Sequence, residues 1–178
     1  MTKYEIIEEK VLKTITVIST SVCCTILFLL AIGIRPIIAY CDGPSMEPTY
    51  KDGQITIGYN KASMEINVGD VVYIDSNCLK QDNQVKANRK YMKRVVAGPG
   101  DTVMVIGSFV FVNGNSVKLQ GEQGISLYKN NNVEYVLKDG QYFVLGDNRD
   151  NSLDSRYYGP VEKDWIIGKQ LVSKEINK

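Results

Sequence analysis

The sequence contains no histidine. That absence removes the Ser-His-Asp and Cys-His arrangements and most zinc sites, all of which use imidazole as base or ligand. Any nucleophilic catalysis in this chain needs another base, and lysine is the main alternative. The four cysteines, Cys23, Cys24, Cys41 and Cys78, show no CxxC or other metal-ligand spacing. Cys23 and Cys24 fall in an apolar run, where thiols behave as small hydrophobes; whether Cys41 and Cys78 pair is not decided by spacing. An excess of either charge is lacking too. Lys and Arg number 21 against 20 Asp and Glu, a net charge of +1 without a basic stripe, so nucleic acid is not an expected partner.

What the 178 residues do contain starts with an uncharged run from Thr14 to Ile34, TITVISTSVCCTILFLLAIGI. Its 21 residues match the roughly 20 that a helix needs to cross ~30 Å of hydrocarbon. A cleavable signal peptide has a shorter apolar stretch of about 7–15 residues, which favours an uncleaved anchor. A lipoprotein signal ending at Cys41 is disfavoured by bulky Tyr40 directly before it. Lys3, Lys10 and Lys13 precede the run and Arg35 alone follows closely, so the N-terminus is expected inside and the C-terminal bulk outside. The expected organisation is a cytoplasmic segment 1–13, a single-pass cell-membrane anchor 14–34, a juxtamembrane linker 35–41 and an extracytoplasmic catalytic domain 42–178.

Beyond Asp42 the pattern changes to short runs rich in Val, Ile and Tyr: QITIGY (54–59), DVVYID (70–75), YMKRVVA (91–97), DTVMVI (101–106), EYVL (134–137), QYFVLG (141–146) and WIIGKQLV (165–172). FVFVNGNSVKL (109–119) alternates around Asn113-Gly114, a strong hairpin signal. No long helical period follows the anchor. Residues 80–90 and 121–132 read as polar loops. The expectation is a mostly β, partly closed, barrel-like sheet assembly of about 135 residues, within the usual domain size.

Three stretches carry chemistry. Pro44 and Pro48 bracket Ser45 and restrict the backbone on either side, presenting a hydroxyl in a preset turn; alone, this reads equally as a polar loop. Lys93 sits in a strand among Tyr91, Met92, Val95 and Val96, where burial would disfavour the ammonium and make a base of the amine. Its plainer alternative is an edge-strand lysine with its amine in water. Residues 146–156, GDNRDNSLDSR, follow a strand with enough amides, charges and hydroxyls to scaffold a site. Ser152 could orient the lysine amine there, as a third group does in any triad.

SMEPT (45–49), GDVVY (69–73), KRVVAGPGD (93–101) and GDNRDNSLDSR (146–156) resemble, in order, the four motifs of bacterial type I signal peptidases, in the compact form of Gram-positive members. The resemblance runs from Asp42 to about Val161. It implies a membrane-bound serine endopeptidase that cuts exported preproteins after a small residue of Ala-x-Ala type, without cofactor or metal. It implies Ser45 as nucleophile, Lys93 as general base and Ser152 as the hydroxyl orienting that amine. Asp154 would support the site with Arg156 as salt-bridge partner, and Asp147 would pair structurally with Arg94. Signal-peptide-bearing preproteins, the lipid membrane and the export machinery are the implied partners. Tyr50 stands where Leu is usual, Ala97 where Gly is commoner. Gly43 replaces a serine whose hydroxyl helps bind the oxyanion in some members, leaving the backbone N–H groups of Ser45 and Gly43 as donors. A self-cleaving Ser/Lys repressor would need a soluble DNA-binding part where this chain has an apolar span. A non-enzymatic, membrane-anchored assembly factor, or a signal peptidase dedicated to a pilin or surface protein, remains as an alternative.

Overall fold

A computed structural model describes residues 3–60, 64–79, 88–117 and 132–171 of the chain. The chain divides into two units, Met1–Arg35 and Pro36–Lys178. The first is a helix, α1 (Lys3–Ala31). Its apolar part, Ile7–Ala31, has 25 residues and a mean hydropathy of 2.1, which at ~1.5 Å per residue suffices to cross a bilayer. The hydroxyls of Thr14, Thr16, Thr20 and Thr25 each donate to the carbonyl four residues back, at 2.9 Å. That satisfies them within the helix and explains why an anchor rich in Ser and Thr still tolerates lipid. The helix begins earlier and ends earlier than the uncharged run. Gly33, at φ 77°, donates to Leu30 O and Ile34 N–H donates to Leu29 O, a Schellman stop that leaves residues 32–34 outside the helix.

Among the described residues, eleven strands follow the helix: β1 (Arg35–Tyr40), β2 (Ile55–Asn60), β3 (Val71–Asp75), β4 (Lys90–Ala97), β5 (Thr102–Ile106), β6 (Phe109–Val112), β7 (Asn115–Ser116), β8 (Val133–Val136), β9 (Gln141–Leu145), β10 (Val161–Glu162) and β11 (Ile166–Gln170). A single-turn helix, α2 (Ser155–Tyr158), interrupts them. Seven strands form one sheet in the order β1-β2-β11-β3-β4-β9-β10, and four form another in the order β7-β6-β5-β8. The fold is mostly β, as the sequence pattern indicates. One expectation changes: residues 35–41, read as a linker, supply strand β1 at the sheet edge. The polar stretches at 80–90 and 121–132 lie largely outside the described residues, as do the ends of the runs at 109–119 and 165–172.

The hairpin around Asn113-Gly114 forms with φ of 50° and 78° at those two residues, the left-handed pair that a two-residue type I′ turn requires. One core packs Val72, Ile74, Val95, Val144 and Val161 together. A second packs Val103, Val105 and Val110 against Phe143 and Leu145. β4 and β9 feed both because side chains alternate along a strand, Val95 and Val144 facing the first core and Val96 and Leu145 the second; the register slip between Val95 and Ala97 keeps Ala97 in the second core beside Val96. This shared strand pair positions the site.

Candidate active site

Lys93 lies on β4 between β3 and β9, directly opposite Val72, and is 2 % exposed. Its Nζ lies 3.0 Å from Ser45 Oγ and 3.1 Å from the carbonyl of Met92, with the Tyr91 ring centroid 5.6 Å away. Both hydrogen-bond acceptors are neutral oxygens. Burial therefore dominates and lowers the amine from the ordinary 10.5 to about 8, opposed by the fields of Asp154 and Asp147 and aided by that of Arg156.

Ser45 is presented by a tight turn in which Glu47 N–H donates to Pro44 O. Met46 plugs into a small core with Cys41, Tyr50 and Val71, which fixes the turn from below. Tyr50 is 2 % exposed, so its departure from the usual Leu is a matter of packing. Asn148 N–H donates to the Ser45 carbonyl at 3.1 Å, tying the turn to the segment after β9. Gly146 lies where these chains meet. A Cβ there would lie 2.6 Å from the Ser45 carbonyl oxygen and would overlap the buried Ser152 side chain. Only glycine fits this crossing.

Asp154 is fully buried and accepts four hydrogen bonds: Arg156 Nε at 2.9 Å, Arg156 Nη2 at 2.9 Å, Arg156 N–H at 3.2 Å and Gly146 N–H at 3.0 Å. It also caps α2, so the carboxylate is held by both backbone and guanidinium. Asp147 is gripped in the same two-pronged way by Arg94, through Nε at 2.8 Å and Nη2 at 2.7 Å, and Arg94 Nη1 donates to Gly69 O in the GDVVY stretch. The four ordered stretches thus converge in space.

The Gly43 N–H, expected as an oxyanion donor, donates to Asp52 Oδ1 at 2.8 Å, with φ at 97°. Cys41, weighed in the sequence only for a disulfide or a lipoprotein signal, is buried and near enough to Lys93 for the two groups to influence one another. Burial, more than any other cause, raises that thiol. Cys41 and Cys78 are both free thiols. Arg149 was missed as a structural residue: it is buried, its Nε donates to Gly146 O and its Nη1 to Val117 O, joining the segment after β9 to the end of the small sheet. Nothing in the local pattern of residues 146–156 distinguishes Arg149 from an exposed turn residue.

Known proteins match this arrangement. The family model described as signal peptidase, peptidase S26, matches residues 11–173. A signal peptidase IB of Staphylococcus aureus (strain Mu50) is 34% identical over 174 residues, covering 86% of this chain and 84% of its own. A signal peptidase I of Leptolyngbya laminosa is 37% identical over 151 residues, covering 81% of this chain and 72% of its own. The crystal structure of a signal peptidase I from Enterococcus faecalis V583 aligns with 25% identity and a TM-score of 0.44, over 60% of this chain and 97% of that one. With a family model spanning nearly the whole sequence and relatives above 30% identity at this coverage, the chain belongs to the signal peptidase family, peptidase S26, and is a serine protease that removes signal peptides.

Proposed function

We propose that Ser45 and Lys93 form the reacting pair of this signal peptidase. The observation that carries the reading is the 3.0 Å contact between a buried amine and a hydroxyl on a constrained turn. In its neutral form Lys93 accepts the Ser45 proton as Oγ attacks the scissile carbonyl. The Ser45 N–H stabilises the oxyanion; Pro44 has no N–H to offer. Lys93 then passes its proton to the leaving amine, which departs as the mature protein's N-terminus. Water, deprotonated by Lys93, hydrolyses the acyl-enzyme and releases the signal peptide with a free carboxylate. Ser152 and the Asp154–Arg156 pair support the amine, while Arg94–Asp147 holds the strand that bears it.

The substrate class is a preprotein whose signal peptide ends in a small residue of Ala-x-Ala type, and the export machinery is the expected supplier. α1 acts as a single-pass anchor, with the basic residues before it inside and the β unit outside. Anchoring raises the effective concentration of membrane-held substrate at the site. The test is processing of a preprotein by the purified full chain in detergent. Ser45→Ala and Lys93→Ala must each abolish cleavage; retained cleavage in either would sink the assignment.

A further inference from the structure

Four basic side chains and two carboxylates are buried around the site: Lys93, Arg94, Arg149 and Arg156 against Asp147 and Asp154. A lysine that must lose its proton cannot also serve as counter-ion to a buried carboxylate, because an anion with no other partner would hold the ammonium in place. Two such anions act on Lys93, both from the segment after β9: Asp154 accepts from Gly146 N–H at 3.0 Å, at the crossing where Gly146 packs on the Ser45 turn that Lys93 contacts, and Asp147 is the next residue after Gly146. Each carboxylate is already gripped at both oxygens by its own arginine. The Asp154–Arg156 side chains are completely shielded from solvent, so water cannot screen that acid and Arg156 supplies the compensating charge in direct contact with it.

We propose that Arg156 is a positioning residue of electrostatic kind: by occupying both oxygens of Asp154, it keeps that carboxylate from becoming the counter-ion of Lys93 and leaves the amine hydrogen-bonded to the neutral oxygens of Ser45 and Met92. The proposal rests on Lys93 as the working base. The other groups facing Lys93 are Cys41 from the loop before Ser45, Tyr91 from its own strand and Asp147 after β9; Tyr158 of α2 faces Asp154 and Tyr91. Of these, the Cys41 thiol and the Tyr158 phenol are both raised by burial, which favours their neutral forms. Asp147 is covered by Arg94 as Asp154 is by Arg156. The directions agree: Asp154 favours the ammonium, Arg156 disfavours it, and burial outweighs both.

Removing one member of the pair should therefore move Lys93 one way, and removing the other should move it the opposite way. A purely structural role for the pair predicts no such reversal. The experiment titrates Lys93 by NMR in the full chain in detergent micelles, with methylene-labelled lysine and Ser45→Ala present, so that no activity is needed. Lys93→Met identifies the resonance. Arg156→Gln should raise the midpoint by about 1 pH unit and Asp154→Asn should lower it by about as much, the scale of a single close charge. Arg156→Lys, which keeps the charge and loses the fork, should stay within about 0.3 unit of the parent. The Asp154→Asn/Arg156→Gln double variant should return close to it.

Midpoints that stay put in both single variants, or that move in the same direction, would overturn the proposal. If Arg156→Gln does not fold, Asp154→Asn and Arg156→Lys decide: a fall in the first with an unmoved second supports the screen, and any other pair of results refutes it. Because Ser45 is absent throughout, these midpoints are independent of the cleavage assay. A Lys93→Ala chain that still cleaved would overturn the assignment of the base while leaving the screen to be judged on its own titration.

Discussion

Two lysines flank Val72 in one row of the large sheet, Lys93 on β4 and Lys169 on β11, and they have opposite fates. Lys169 reaches Asp70 at 2.9 Å, and although burial pulls its amine down, that hydrogen bond and charge raise it overall. Lys93 is more deeply buried and meets neutral oxygens, so burial wins and the amine falls to about 8. Row and residue type are the same, and both strands pair with β3. What faces the amine decides whether a strand lysine becomes an ion-pair partner or a base.

Substitutions that ignore this difference should have the largest effect. Lys93→Arg keeps length and charge but cannot release its proton, so cleavage should fall by about 10²–10⁴-fold or more in the detergent assay; near-parental kcat/KM would exclude Lys93 as base. Arg94→Met, which strands buried Asp147, should lower stability by about 3–5 kcal/mol in denaturant titration. A loss below about 1 kcal/mol would mean that the pair contributes little beyond packing.

Next comes pH. Only neutral Lys93 can accept the proton, so activity should rise with pH and level off above about 8. Between pH 6 and pH 8 the rate should climb roughly fiftyfold if this titration alone governs it. A flat kcat/KM over that range would contradict a base of this kind.

The smallest effects compare the two lysines directly. Lys93 has a lowered value in the folded state and the ordinary 10.5 when unfolded, so its burial destabilises the fold fully below pH 8, and the cost fades as pH rises from 8 to 10.5. Lys93→Met should therefore stabilise the chain at pH 7 by about 1–3 kcal/mol while abolishing cleavage. Lys169 has the opposite sign: its ion pair stabilises at neutral pH and is lost as pH rises through its raised value. Lys169→Met should cost up to about 1 kcal/mol and leave the pH profile of cleavage unchanged. Thermal melts of the two variants at pH 7 must move in opposite directions for the comparison to stand.

Much of this was legible in the sequence because it is local or motif-borne. Asn113-Gly114 announces its turn through the φ values that both residues tolerate. The apolar neighbours of Lys93 announce its burial. Ser45, Lys93, Arg94, Asp147, Asp154 and Arg156 all lie within the ordered motifs. What was not legible depends on long-range placement. Strand β1 contains Arg35 and Pro36 and reads as a linker; only its pairing with β2 at a sheet edge makes it a strand. The insertion of β11 between β2 and β3 has no local signature. The engagement of Gly43 N–H by Asp52, nine residues on, could not be foreseen because that carboxylate reads as an ordinary turn residue.

That last contact bears on inhibitor chemistry. A covalent ligand that acylates Ser45 and generates an alkoxide arrives beside a turn whose nearby N–H is already bound to a carboxylate. The Asp52 carboxylate that holds this N–H is exposed, so a warhead that carries its own hydrogen-bond donor has an anchor point there, and with it a handle for selectivity.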